Sequence, residues 1–301
     1  MDYFVKSELL TKAHPAENKK AEPYRVFSNI NFGIKKGEFI TCIGHSGCGK
    51  STLLNILAGL DKPTDGVTLL GSKAIDGPSL DRAVVFQNHS LLPWQSALQN
   101  VLFAVKAKFK NKSKNELRDH AMQYMKLVGL EKSLDKKPYQ LSGGMRQRVG
   151  IARAFAVQSE LLLMDEPFGA LDALTRGVIQ DQLIEIWSRT KQTVFMITHD
   201  VDEAILLSDR IFLMSNGPDA VISESVKVSI PRPRNRMQIV HHPDYYKIRN
   251  HLIDFLVTRS SQRDDLLPDG TQVSGIKEGK LVYPPVVDPT IEKKTEFLVS
   301  A

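Results

Sequence analysis

The stretch "GEFITCIGHSGCGKSTLLNILAGL" (Gly37–Leu60) decides the fold. Gly44–Ser51 match G-x-x-x-x-G-K-[ST]. Ahead of them, Phe39–Ile43 form a short apolar run with β-branched residues, bounded by glycines, which reads as a buried strand. Behind them, Ser51–Leu60 carry apolar residues at helical spacing, and the pattern stops at Gly59. A strand that passes through a glycine-rich loop into a helix is a phosphate cradle. Gly44, Gly47 and Gly49 let the backbone wrap close to an anion, and the exposed N–H groups and the helix N-terminus face it. His45, Ser46, Cys48 and Thr52 complete the loop, with Cys48 as a small space-filler. Lys50 supplies a point charge for the β- and γ-phosphates, and the Ser51 hydroxyl is placed for Mg²⁺. ATP and Mg²⁺ are the cofactors this loop predicts, and a bulky adduct on Cys48 would block nucleotide binding.

Three further runs read as strands: "AVVFQ" (Ala83–Gln87), "LLLMD" (Leu161–Asp165) and "TVFMITH" (Thr193–His199). Apolar strands separated by helices imply a largely parallel sheet covered on both faces. Their ends carry chemistry. Asp165 is suited to holding Mg²⁺ through its hydration shell. Glu166 follows on the γ-phosphate side, where a carboxylate orients or deprotonates the attacking water. His199 reads as a γ-phosphate sensor and transition-state stabiliser. The Gln87 amide reaches Mg²⁺ and the water.

"QLSGGMRQRVGIARA" (Gln140–Ala154) raises a second question. Ser142, Gly143 and Gly144 offer a hydroxyl and backbone N–H groups at the start of a basic helix, another anion cradle. One fold does not aim two cradles at the same ATP when a helical insertion separates them. Two chains arranged head to tail resolve this: the first cradle of one and the second of the other clasp one nucleotide, and a twofold axis gives two such sites.

"GHSGCGKS", Gln87, "LSGGMRQR", "LLLMDEP", "ALD" (Ala170–Asp172) and His199 stand in the order found in ABC-type ATPases, which the chain resembles over about residues 25–258. The resemblance implies an α/β P-loop NTPase: a RecA-like core with a mixed sheet, an α-helical subdomain at about 88–157, and an ATP-sandwich dimer of like or homologous subunits. It implies that Gln147 joins Ser142, Gly143 and Gly144 in a signature helix acting in trans, and that Asp172 belongs to the loop linking the two sites. The family places an adenine-stacking aromatic upstream. Its spacing to Lys50 falls near Ala21, which cannot stack, and Tyr24 is the nearest candidate.

A narrower resemblance lies in "GPSLDRAVVFQNHSLLPWQSALQNV", "HDVDEAILLSDRI" and "HPDYYKIRNHLIDFL". These are similar to the ATP subunits of nitrate, bicarbonate, cyanate and sulfonate importers, above all the nitrate type. The implied protein is an ATPase at the cytoplasmic face of the inner membrane, bound to permease subunits and served indirectly by a solute-binding protein. Its implied cargo is nitrate or nitrite, with bicarbonate, cyanate or sulfonate/taurine as alternatives. In this reading Leu91, Leu92, Pro93 and Trp94 anchor a coupling helix of the permease.

The remaining chain sets bounds. Its 301 residues suit one large domain with an appendage, or two domains. Residues 1–23 are polar, broken by Pro15, and read as a loose arm; 24–258 read as the nucleotide-binding domain and 259–301, rich in Ser, Asp, Gly and Pro, as a flexible tail. No apolar run approaches the roughly 20 residues that span a bilayer. The net charge of +6 permits a nucleic-acid surface, and basic residues gather in "KAKFKNKSKNELR" (Lys106–Arg118), a solvated edge or a lipid-facing rim. Soluble ABC ATPases that act on nucleic acid carry tandem ATPase domains or long coiled coils; the sequence shows neither, and no nucleic-acid partner is expected. Cys42 and Cys48, the only cysteines, do not form a disulfide framework, which fits a reducing compartment.

Overall fold

Residues 3–15, 23–169, 171–259, 275–277 and 280–291 are described by the computed structural model. Its strands are β1 (Val5–His14), β2 (Tyr24–Ile34), β3 (Phe39–Ile43), β4 (Asp65–Leu70), β5 (Lys73–Ala74), β6 (Arg82–Val85), β7 (Leu161–Asp165), β8 (Thr193–Ile197), β9 (Arg210–Met214), β10 (Ile222–Lys227), β11 (Gly275–Lys277), β12 (Lys280–Val282) and β13 (Val286–Val287). The α-helices are α1 (Lys50–Ala58), α2 (Ala97–Lys108), α3 (Lys114–Leu127), α4 (Gly143–Ala156), α5 (Ala173–Thr190), α6 (Val201–Leu207), α7 (Arg236–Ile239) and α8 (Tyr245–Asp254).

The central sheet runs β13-β10-β9-β3-β8-β7-β6, and from β9 to β6 every pairing is parallel. Strand β3 is buried at all five positions because it has a neighbour on each edge and a layer on each face. Side chains alternate between faces along a strand. Ile40 and Cys42 join the cluster containing Leu53, Leu54 and Leu57 of α1, whereas Phe39 and Ile43 join the cluster built with the helical lobe. That lobe, α2 to α4, follows the end of β6, as the helical pattern after Ser96 predicts. Capping boxes at Ser96 and Ser113 start α2 and α3. The stripe Tyr245, Ile248, Leu252 and Phe255 is buried, so it is core.

A second, antiparallel sheet, β2-β1-β4-β5, lies over the α1 face. Phe32 of β2 reaches Phe195 and Phe212 of the central sheet, with ring centroids 6.3 and 5.5 Å apart. This sheet corrects the reading of residues 1–23 as a loose arm at residues 5–14; residues 16–22 lie outside the described residues. Strand β1 has few apolar side chains, but it is hydrogen-bonded on both edges, to β2 and to β4, and Val5 and Leu10 are wholly buried. Two ladders supply the order that side-chain composition does not advertise.

The tail needs a similar correction. Strand β13 pairs parallel with the edge strand β10, and Ser225 N–H donates to the Pro285 carbonyl at 2.9 Å. The Ser229 hydroxyl donates to Asp288 Oδ1 at 3.2 Å, and the Tyr283 ring lies 5.8 Å from that of Tyr3. An uncovered sheet edge attracts backbone, and here residues 283–291 cover it. Residues 260–274 and 292–301 lie outside the described residues.

Because Leu10 sits at zero exposure in the core under β1, Leu10→Ala should cost about 2–5 kcal/mol, read as a lower urea midpoint; a loose arm would give no change.

Candidate functional site

Four neighbouring parallel strands end at one edge of the sheet, and each delivers a polar group there. Strand β3 releases the Gly44–Lys50 loop, β8 leads to His199, β7 ends at Asp165 and leads to Glu166, and β6 leads to Gln87. Strand β6 stops at Val85, so Phe86 and Gln87 lie beyond the ladder. Parallel strands lie about 4.8 Å apart, so residues separated by up to 155 positions meet within a few strand widths.

The loop turns on Gly49, the N-cap of α1, at φ 101° in the left-handed region. A Cβ at Gly49 would also meet Val26 Cγ1 at 2.6 Å, so only glycine fits. The Lys50 side chain is buried and donates to the carbonyls of Gly44 at 2.8 Å and His45 at 2.7 Å, with Cys48 Sγ at 3.7 Å. The ammonium therefore sits inside the turn, while His45, Ser46 and Gly47 form its exposed crest.

Ser51 Oγ donates to Asp165 Oδ1 at 3.2 Å. Burial raises the Asp165 carboxyl above its ordinary range, partly offset by that hydrogen bond. A hydroxyl and a carboxylate in contact, with the Gln87 amide close to Glu166, form an all-oxygen set that suits Mg²⁺, which binds through one or two carboxylates plus phosphates and water.

Glu166 is the most constrained residue of the group. Its φ is 46°, left-handed for a non-glycine residue, a conformation that costs on the order of 1 kcal/mol and persists only where surroundings enforce it. Its N–H donates to the Ile197 carbonyl at 3.0 Å. One carboxylate oxygen lies 2.5 Å from His199 Nε2, and the other accepts from Gln87 Nε2 at 3.4 Å. The side chain is thus held between the ends of β6 and β8.

A cleft of about 310 Å³ is lined by Ser46, Gly47, Gly49, Lys50, Ser51, Thr52, Glu166, His199, Val26, Tyr24 and His14. Tyr24 is half exposed at the cleft wall, where a flat base can lie against it. Ala21 lies outside the described residues. His14 is a lining residue that the sequence reading missed. It pairs with Tyr24 across β1 and β2, and the one signal for it, the apolar positions Val5 and Leu10, was too sparse to announce a strand.

The second cradle is not part of this cleft. Ser142, the N-cap of α4, is exposed, and its hydroxyl accepts from Met145 N–H at 3.2 Å. Gly143 is half-buried, whereas Gly144 packs so closely on α5 that a Cβ would meet Thr175 Cγ2 at 2.4 Å. Gln147 departs from its expected place on a nucleotide-facing surface: it is 1% exposed and its amide oxygen contacts His89 Nδ1, because it lies on the inward face of α4. Asp172 is exposed, and its carboxylate caps α5 by accepting from Thr175 N–H at 2.9 Å, which holds it below the usual carboxylate range. Ala170 lies outside the described residues.

Elsewhere, an apolar groove of about 560 Å³ opens between α2 and β6, walled by Leu60, Leu80, Phe86 and Phe103. None of Leu91, Leu92, Pro93 or Trp94 lines it. Leu91 packs on the core, Leu92 is pinned by Asn100, and Trp94 stands exposed.

A family profile described as ABC transporter matches residues 27–169. The bicarbonate transport ATP-binding protein CmpD of Synechocystis sp. is 49% identical over 261 residues, 87% of this chain and 92% of that protein. The nitrate import ATP-binding protein NrtD of Synechococcus elongatus is 49% identical over 243 residues, 81% of this chain and 89% of that one. Among solved structures, the dimeric post-hydrolysis state of the ATP-binding cassette MJ0796 bound to ADP and Pi matches with a TM-score of 0.66 and 34% identity, covering 75% of this chain and all of that chain.

Both cysteines are buried, and burial pushes both thiols up. A maleimide at pH 8 should therefore react slowly with the folded chain and rapidly with both thiols in denaturant; fast labelling of Cys48 in the folded chain would contradict the loop geometry.

Proposed function

The chain belongs to the ABC transporter family, and from that premise we propose that it is the ATP-hydrolysing subunit of an importer for a small inorganic anion. The observation that carries the reading is the Glu166 carboxylate held between His199 and Gln87 at the mouth of the phosphate loop. In this geometry Lys50 and the loop N–H groups bind the phosphates. Ser51, Asp165 and Gln87 would hold Mg²⁺, which when bound would neutralise phosphate charge. Glu166 accepts the proton of the attacking water, and His199 both orients Glu166 and faces the γ-phosphate side. Catalysis here is positioning plus charge stabilisation.

Ser142 and Gly143 are not among the residues lining the cleft on the same chain. A second copy or a homologous subunit, head to tail, brings its Ser142 and Gly143 over this nucleotide, an arrangement supported by the dimeric relative. No described helix is long and apolar enough to cross a membrane. We place the chain at the cytoplasmic face of the inner membrane, with the groove of Leu60, Leu80, Phe86 and Phe103 seating a segment of a permease subunit, and a solute-binding protein upstream.

The cargo proposed is nitrate, after the nitrate import relative. Bicarbonate is the second reading, favoured by the equally similar bicarbonate transport relative. Both are small planar monovalent oxyanions, and the ATPase touches neither.

Glu166→Gln should lower turnover at least about a hundredfold, the scale of a lost general base, while ATP binding survives. Cells carrying only that variant should lose uptake of labelled nitrate; retained nitrate uptake with lost bicarbonate uptake would reassign the cargo. Mixing Lys50→Ala chains with Ser142→Arg chains should restore about a quarter of wild-type hydrolysis, because random pairing makes half the dimers mixed with one intact composite site each. No restoration would sink the shared site.

A further inference from the structure

The motif "HDVDEA" (His199–Ala204) places a glutamate four residues after His199. The mechanism above makes no use of it. Glu203 lies in the first turn of α6 and is 6% exposed. One of its carboxylate oxygens accepts from the Thr198 hydroxyl at 2.5 Å, and the other accepts from Gln180 Nε2 of α5 at 2.7 Å. Thr198 immediately precedes His199. Its hydroxyl oxygen in turn accepts Asp200 N–H at 3.1 Å. Asp200 Oδ1 accepts the N–H groups of Asp202 and Glu203 at 2.9 and 3.0 Å. His199 therefore sits at the apex of a turn whose two shoulders are fastened together and then to a buried carboxylate. The imidazole itself is about half exposed, so its aim at Glu166 is set by that turn and not by side-chain packing.

We propose that Glu203 is a positioning residue for His199: through the Thr198 hydroxyl its carboxylate fixes the turn that presents the imidazole to Glu166. This inference rests on the hydrolytic role assigned to His199 above. The charged groups around Glu203 are few. Arg176 of α5 puts Nε 3.9 Å from it, but donates through its other nitrogens to Asp200 at 3.4 Å and the Leu171 carbonyl at 3.2 Å. Asp200 is the nearest like charge. Arg236 of α7 reaches Gln180, the Gly177 carbonyl and Asp181, and Asp202 turns away to Tyr245 and Arg249 of α8.

Only the ionised carboxylate accepts from both donors. Once protonated toward Thr198, Glu203 would give a proton to a hydroxyl oxygen already accepting Asp200 N–H, and the Thr198 proton would lose its acceptor. Burial, with Asp200 adding to it, pushes the Glu203 carboxyl up to about 7, against the pull of its hydrogen bonds and Arg176. The grip is therefore complete above that pH and lost as pH falls through it. Glutamine at 203 reproduces the neutral acid: its amide oxygen accepts from Gln180 and its N–H faces Thr198.

The test is steady-state ATP hydrolysis by the full-length chain between pH 6 and 8.5. Wild-type kcat should rise across pH 7; Glu203→Gln should lower kcat at pH 8 by about tenfold to a hundredfold, the scale of a misaimed group, leave KM for ATP unchanged, and remove that rise. Thr198→Val should reproduce the loss and Thr198→Ser should rescue it. A wild-type pH profile in Glu203→Gln, wild-type kcat in Thr198→Val, or losses that track melting temperature in both would overturn the inference. His199→Gln separates the two levels. Wild-type turnover there would sink the role of His199 itself, whereas lost turnover there with a wild-type Glu203→Gln profile sinks only the positioning role.

Discussion

The constraint on which the site depends is the common direction of β3, β8, β7 and β6. Parallel strands place like ends on one edge, so four polar groups from distant parts of the chain meet without any of them being buried in the sheet. The same alignment explains the composition of these strands. Strands β3, β8 and β7 have neighbours on both edges and layers on both faces, while β6 closes the sheet at its edge beside β7, so these strands are mostly apolar runs that meet their chemistry where they leave the sheet. Phe39–Ile43 and Leu161–Met164 are wholly buried, and the next residues outward, Gly44 and Asp165, begin the chemistry.

At that edge the backbone itself is bent to the task. Glu166 takes a left-handed conformation that a side-chain-bearing residue avoids. It is held there by its N–H bond to Ile197 and by two side-chain contacts. The energy stored at one residue is small against the burial of Leu161–Met164 behind it, so the core can hold the carboxylate in an aim it would not choose. Lys50 shows the complementary case: a buried ammonium is tolerable because two loop carbonyls solvate it, and the loop is tight because it must.

The parts legible in sequence are those whose signal is local. The phosphate loop, the carboxylates after Leu161–Met164, and His199 after Thr193–Ile197 each announce themselves by an apolar run that stops at a reactive residue. What was not legible depends on partners far away in the chain. Strand β1 was missed because its order comes from two ladders, to β2 and β4, and not from its own polar composition; His14 went with it. Residues 283–291 were read as tail because only the free edge of β10 gives them a place. Gln147 illustrates a finer limit. Its position in the motif says which helix it is on, but not that its helical phase turns it inward to His89. Leu91 and Leu92 show the same dependence on distant partners: Leu91 packs on the core and Asn100 ties down the Leu92 backbone.

Helix α5 connects these features into one mechanical unit. Its cap is Asp172, Thr175 packs against Gly144 at the start of the signature helix, Arg176 bonds Asp200, and Gln180 bonds Glu203. These contacts lie within nine residues, about 12 Å of helix. A rigid rod of that length cannot shift at one end without moving the other. On the proposed head-to-tail arrangement, the signature helix serves the neighbouring chain's nucleotide while the turn at His199 serves this chain's own. Helix α5 then touches both sites at once, and the close Gly144–Thr175 packing leaves no slack between them. On that proposed arrangement α4, α5 and the turn at His199 form one continuous path of bonded and packed atoms between the two sites.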